Sequence, residues 1–243
     1  MDEQNQQVSP KESIESRREE KLARQTRMER MKKAKQIAVW LLVAVFVGGV
    51  VWGLVKNTTL TPSEPSALLS ISSSDWVKGN SGSKIVLVEY SDFQCPACAA
   101  YHPVVKQLVE EFGNDVAFVY RHFPLRQIHP NADLSARAAE AAGAQGKFWE
   151  MHDLLFENQK EWSNQKNAVD SFVKYAESLG LSSEQFKSDI DSKEVKQKVN
   201  EDYNGGTSLK ISGTPTFFLN GKKLQNPRNY EEFKSIIEQA IKQ

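Results

Sequence analysis

Cysteine is nearly absent from this chain: its 243 residues hold two, and both fall within Cys95-Pro96-Ala97-Cys98. A zinc site would need a second ligand cluster, and none is present. The four histidines, His102, His122, His129 and His152, stand singly with no pair at ligand spacing. A purely structural disulfide would more often join distant segments and close a larger loop. Charge of one sign is also missing, because 31 Lys/Arg balance 31 Asp/Glu. Residues 1–36 carry ten Lys/Arg against seven Asp/Glu, and residues 57–243 carry twenty against twenty-four. The basic surplus is confined to the N-terminus, which argues against a nucleic-acid-binding domain. The sequence shows no internal repeat.

Long apolar runs are lacking, with one exception. Ile37 to Val55 is nineteen residues without a charge, roughly 28 Å as a helix, about the thickness of a bilayer's hydrocarbon core. Trp40 and Trp52 sit near its ends, where interfacial aromatics belong. Nine Lys/Arg lie between Arg17 and Lys35, against Lys56 alone just after the run. The positive-inside rule then predicts a charged cytoplasmic tail over 1–36, a transmembrane helix over 37–55 and everything beyond Lys56 outside. A cleaved signal peptide would have a shorter apolar core and a small-residue cleavage site, and neither is seen. Residues 56–74, rich in Ser, Thr and Pro, read as a tether. An extracytoplasmic address is one where protein disulfides persist.

The chemistry gathers at the two cysteines. Ile85 to Tyr90 is an apolar run of the kind that forms a central strand buried on both faces. Tyr101, Val104, Val105, Leu108 and Phe112 repeat at helical spacing, so a helix starts near Cys95. Unsatisfied N–H groups and the macrodipole at that start stabilise a Cys95 thiolate. Pro96 suits the first turn. Cys98 lies one turn on, within reach of a disulfide. Cys95 is therefore the predicted exposed attacking thiol and Cys98 the inner resolving one. Glu89 interrupts the strand; from spacing alone it is either a solvent-facing residue near the strand's end or a buried acid that trades a proton with Cys98.

The rest of the chain supplies a frame. Gly113-Asn114-Asp115 ends the helix and Val116 to Tyr120 forms a second strand, completing a βαβ unit. Residues 130–209 read as all-helical. Their stripes are Ala138/Ala141/Ala142, Phe148/Met151/Leu154/Leu155 and Val169/Phe172/Val173/Ala176/Leu179. Ser182 with Gln185 is a capping-box pattern. Thr216 to Leu219 is a strand, Asn220-Gly221 a hairpin signal and Lys223 to Gln225 its partner. Asn229 with Glu232 opens a terminal helix. His122 and His129 read as hydrogen-bonded structural histidines.

The order βαβ with Cys-x-x-Cys at the first helix, then ββα preceded by Gly213-Thr214-Pro215-Thr216, resembles the thioredoxin fold. The helical lobe between the halves resembles the DsbA-like branch, and the anchor resembles membrane-anchored bacterial members of the BdbD type. Arg121-His122-Phe123-Pro124 and Gly146-Lys147-Phe148-Trp149 are similar to stretches common in that family. The resemblance covers about residues 75–243. It implies Cys95 as nucleophile, Cys98 as resolving thiol and Glu89 as the buried acid. It also implies that Pro215 is a cis-proline facing the sulfurs, with Thr214 before it. Pro96 and Ala97 complete the support of the site, where an extended substrate pairs and metal is kept away.

What the resemblance implies for function is a membrane-anchored thiol:disulfide oxidoreductase without a cofactor. It would form disulfides in unfolded exported proteins and be reoxidised by a quinone-linked membrane thiol oxidase, with a monomeric catalytic domain. The alternatives are a reductase or isomerase using the same pair, or a tethered peptide-binding or chaperone module with a structural disulfide. One departure bears on the choice. The strongest oxidants of the family carry His where this chain has Ala97, which predicts a weaker thiolate and a less oxidising pair.

Overall fold

The computed structural model describes residues 69–242 together with scattered positions between residues 24 and 52. The chain divides into two units, Met1–Pro62 and Ser63–Gln243. In the first, the described positions are helical and exposed, with Trp40, Leu42 and Phe46 at least 70 % exposed. No helix among the described residues is long and apolar enough to cross a membrane. Most of the span read over 37–55 lies outside the described residues.

The second unit is built on a five-stranded sheet of β1 (Trp76–Gly79), β2 (Ile85–Ser91), β3 (Val116–His122), β4 (Thr216–Leu219) and β5 (Lys222–Lys223). Its spatial order is β1-β3-β2-β4-β5. β2 and β3 run parallel, joined by helix α1 (Pro96–Phe112), and the other neighbours are antiparallel. The run read as the central strand is indeed at the centre. Between β3 and β4 lie α2 (Ala132–Ala144), α3 (Phe148–Glu157), α4 (Gln159–Trp162), α5 (Val169–Ser178), α6 (Ser183–Ile190) and α7 (Lys193–Ser208). Helix α8 (Tyr230–Ile241) closes the described chain.

Strand alternation sorts side chains onto two faces. Leu87, Phe118, Tyr120, Phe217 and Leu219 pack with Val105 and Leu108 of α1, Phe233 and Ile237 of α8, and the lobe. Val88, Tyr90, Val119 and Phe218 pack on the other face with Phe123, Ile211 and Leu69. Leu69, inside the stretch read as a tether, is 5 % exposed. The last residues of that stretch therefore belong to the packed unit.

Local signals produced the elements they promised, with adjustments. Ser182 accepts from the Gln185 N–H, but the Gln185 side chain turns to Asp189 instead of closing the box. Asn229 accepts from the Glu232 N–H at the start of α8. Asn220 and Gly221 both have positive φ, 48° and 79°, the geometry of a tight hairpin turn. The partner strand begins at Lys222 rather than Lys223 and is only two residues long. Strand β1 has no counterpart in the sequence reading: at four residues with no fully buried position it shows no alternation to detect.

Candidate active site

Strand β2 ends at Ser91, the chain turns through Asp92-Phe93-Gln94, and Cys95 becomes the N-cap of α1 with Pro96 in its first turn. The turn is held from several sides. Asp92 accepts from the Gln94 N–H at 2.8 Å, from the Leu125 N–H at 3.0 Å, and pairs with His129 Nδ1 at 2.6 Å. Gln94 donates to the Ser163 carbonyl and accepts from the Asn131 N–H. Gln159 Nε2 donates to the carbonyls of Phe93, at 2.7 Å, and Cys95, at 2.9 Å. These positioning residues come from loops and helices 33 to 69 residues away. Of them, only His129 had been singled out, as a hydrogen-bonded histidine.

Both cysteines stand as free thiols. Cys98 is 0 % exposed and Cys95 7 %. The description of Cys95 as an exposed thiol therefore needs correction. It is the outer of the two, but nearly covered, while the flanking Pro96 and Ala97 are exposed. The cover comes from the far half of the fold. The Thr214–Pro215 bond is cis, Pro215 is buried, and Cys95 Sγ lies 3.5 Å from the Thr214 carbonyl, to which the thiol donates.

The two sulfurs are electrostatically unlike. Cys95 is drawn down to about 5, chiefly because the Cys98 thiol donates to its sulfur. Burial works against this, and the Thr214 side-chain hydroxyl and the backbone N–H groups of Cys98 and Ala97 add to the lowering. The helix N-terminus thus acts as anticipated, through those N–H groups. Ala97 contributes through its backbone N–H, the last and smallest of these causes. Cys98 is pushed well above an ordinary thiol by burial first, then by the Cys95 and Glu89 charges.

Glu89 is the buried acid of the two alternatives, 4 % exposed. Burial raises it to about 7, the Cys95 charge adds to the rise, and the neighbouring Ser91 hydroxyl opposes it. It lines a cavity under α1 and α3 together with His102, Lys106, His152 and Asp153.

The histidines that look scattered in sequence meet in space. His102 Nε2 and His152 Nδ1 both reach Asp153 Oδ1, at 3.0 and 2.9 Å. His102, His152 and Asp153 form one group able to hold a metal, and His122, Glu140 and Asp202 another. In the first, both imidazoles are already bonded to the carboxylate, and Lys106 sits 3.3 Å from its second oxygen. Burial lowers His152 to about 4, so its ring is neutral. In the second, His122 pairs with Glu140 at 2.7 Å, and Asp202 receives Lys198 and the His122 N–H. His122 and His129 are both hydrogen-bonded.

Residues 72–239 match a family model described as Thioredoxin. Two solved structures show the same fold. BdbD from Bacillus subtilis, oxidised, is 24 % identical with a TM-score of 0.63, over 70 % of this chain and 94 % of that one. A thioredoxin-like oxidoreductase from Silicibacter pomeroyi is 26 % identical with a TM-score of 0.61, over 72 % and 97 %. Among curated proteins, a Na(+)/H(+) antiporter NhaA 1 from Salinispora arenicola is 39 % identical over 167 residues, 69 % of this chain. The chain spans about a quarter of the length of that relative.

Proposed function

The chain belongs to the DsbA-like branch of the thioredoxin family, and on that premise we propose that it is a membrane-anchored thiol:disulfide oxidoreductase that introduces disulfides into exported proteins. The observation that carries the reading is the asymmetry of the pair: Cys95 at about 5 and Cys98 far above the ordinary thiol range. A low-pKa thiol is a good leaving group, so a mixed disulfide at Cys95 is readily displaced. Stabilising the reduced thiolate also favours the dithiol form, which makes the disulfide form an oxidant.

A substrate thiolate attacks Cys95 of the Cys95–Cys98 disulfide. Cys98 leaves and takes a proton, for which Glu89 is the buried source. A second substrate thiol then displaces Cys95 and carries away the new disulfide. Exposed Pro96 and Ala97, with Thr214 and Pro215 across from them, form the surface on which an extended substrate lies. No cofactor is required. A quinone-linked membrane thiol oxidase would reoxidise the dithiol, and the catalytic domain would work as a monomer outside the cell membrane. The uncharged run over 37–55 and the exposure of Trp40, Leu42 and Phe46 support the anchor. The antiporter likeness brings no transport chemistry to the reading, because it covers a quarter of that protein and the residues derived above account for thiol exchange.

The test uses the full chain in detergent. Wild type should oxidise a reduced, unfolded disulfide protein and catalyse insulin reduction in the presence of dithiothreitol; Cys95→Ala should lose both activities. Retention of either by Cys95→Ala would leave the tethered binding module as the better reading. A reductase or isomerase would show the insulin activity without the oxidation.

A further inference from the structure

Thiol exchange as described uses neither His102 nor His152, yet the fold brings both to one carboxylate oxygen. His102 lies on α1, and His152 and Asp153 lie on α3. His102 Nε2 stands 3.0 Å and His152 Nδ1 2.9 Å from the same atom, Asp153 Oδ1. Ligands around a tetrahedral zinc ion with bonds of about 2.0 Å are about 3.3 Å apart. The two pairs need to open by only a few tenths of an ångström to take such an ion between them.

The donors are held in place. Both imidazole side chains are 7 % exposed. The His102 ring stacks on Phe156 with centroids 5.2 Å apart, and the His152 ring meets Tyr120 edge-on at 4.8 Å. Lys106 engages the second oxygen of Asp153 at 3.3 Å, which leaves Oδ1 to the imidazoles. Outer partners orient the ligands of metal sites in this way. The charge of Lys106 is shared with Glu157, 3.0 Å away.

His102, His152 and Asp153 also face a cavity of about 20 Å³ under α1 and α3, room for one water molecule. Two imidazoles, one carboxylate and one water make the four-coordinate set of an open zinc site. A ferrous ion on two histidines and a carboxylate keeps several open positions, more than this cavity offers. His102, Lys106 and Phe156 also line a wider groove beside Pro96 and Lys160, which gives an ion a way in from solvent.

We propose that His102 Nε2, His152 Nδ1 and Asp153 Oδ1 form a zinc(II) site that clamps α1 to α3, with water as fourth ligand. Neither cysteine lines the cavity, so the site stands apart from thiol exchange and does not depend on the oxidoreductase reading.

The test uses full-length, tag-free protein in detergent with Cys95 and Cys98 joined as the disulfide, so that no thiol competes for metal. Zinc chloride is titrated by calorimetry, and cobalt(II) chloride is followed by visible absorption. Wild type should bind one zinc ion per chain and give a four-coordinate cobalt spectrum. Its melting temperature should rise with zinc, as for any ligand of the folded state. Asp153→Asn and His102→Gln should each weaken zinc by at least the roughly 10–100-fold that loss of an outer partner costs. Gln can still donate to Asp153, so His102→Gln carries the test if Asp153→Asn does not fold. Glu140→Gln, in the cluster with His122 and Asp202, should leave zinc affinity as in wild type. No stoichiometric zinc binding by wild type, or a six-coordinate cobalt spectrum, would overturn the site. So would binding that survives in folded His102→Gln or Asp153→Asn, or that Glu140→Gln abolishes.

Discussion

The central sheet buries charge on both faces, and the two faces treat it in opposite ways. On the face away from α1, Arg121 grips Asp75 with Nε at 2.9 Å and Nη2 at 2.7 Å. Its remaining donors reach the Tyr90 hydroxyl at 3.2 Å and the Ser70 carbonyl at 2.8 Å. Burial alone would raise Asp75, yet the guanidinium beside it leaves that carboxyl below its usual range. On the α1 face, the hydroxyls of Ser91 and Tyr120 have no hydrogen-bond partner among the described residues, and burial pushes up both Glu89 and Cys98. Similar burial thus yields two products. Partnered charge fastens the chain before β1 to the sheet; on the other face, burial holds Glu89 and Cys98 towards their neutral forms.

The largest way to break this contrast is Arg121→Ala. It strands the buried Asp75 carboxylate, and loss of one partner of a buried pair costs about 3–5 kcal/mol. Urea unfolding should show that loss while the Cys95 titration keeps its midpoint. A shifted midpoint would mean that the two faces are coupled.

Glu89→Gln should act with the opposite sign. The folded-state pKa of Glu89 is raised to about 7 from 4.5. The carboxyl therefore costs nothing below pH 4.5, and its penalty grows as pH rises and is complete above 7. The reduced Gln variant should be more stable than wild type by about 3 kcal/mol at pH 8, from the free energy of a pKa displacement, with no gain at pH 4. A gain that does not vary with pH would contradict the buried acid. The same variant should resolve mixed disulfides slowly, which separates its stability from its chemistry.

Gln159→Ala asks how far the lobe fixes the site. It removes two donors to the carbonyls of Phe93 and Cys95 and should cost about 1–3 kcal/mol, the penalty for leaving buried acceptors unpaired. Cys95 should then react faster with iodoacetamide as its turn loosens. An unchanged alkylation rate would show that the turn is held by Asp92 and Gln94 alone. Asn229→Ala, which removes the N-cap bond to the Glu232 N–H of α8, should cost about 1 kcal/mol and leave every redox readout as it was.

What was legible in the sequence follows the range over which each signal acts. The Cys-x-x-Cys, the helix that begins there, the capping residues Ser182 and Asn229 and the Asn220-Gly221 turn are set by neighbours within a few positions. Each appears in the structure with at most small shifts. The Ala138/Ala141/Ala142 face is fully buried, because helical period alone fixes which side turns inward. Strand β1 was not legible, since its half-buried residues gain their order only by pairing with β3. The meeting of His102 with His152, 50 residues apart, was equally hidden. So was the clasp of Gln159 on Cys95, because neither spacing carries a period. Glu89 stood between: spacing left two alternatives open, the resemblance chose one, and its burial agrees. The expectation from Ala97, a thiolate weaker than that of the His-bearing members, concerns a comparison with those members; what the sequence did not reveal is that the Cys98 thiol is the group that lowers Cys95 most.

The measurement closest to the central claim is the equilibrium reduction potential of Cys95–Cys98 against glutathione, on the full chain in detergent. From a Cys95 thiol lowered to about 5, the proposed oxidase role predicts a potential of about −200 mV or higher, towards the DsbA value of about −120 mV. A potential at or below the thioredoxin value of about −270 mV would contradict the account, and would mean that the dithiol delivers electrons instead of accepting them.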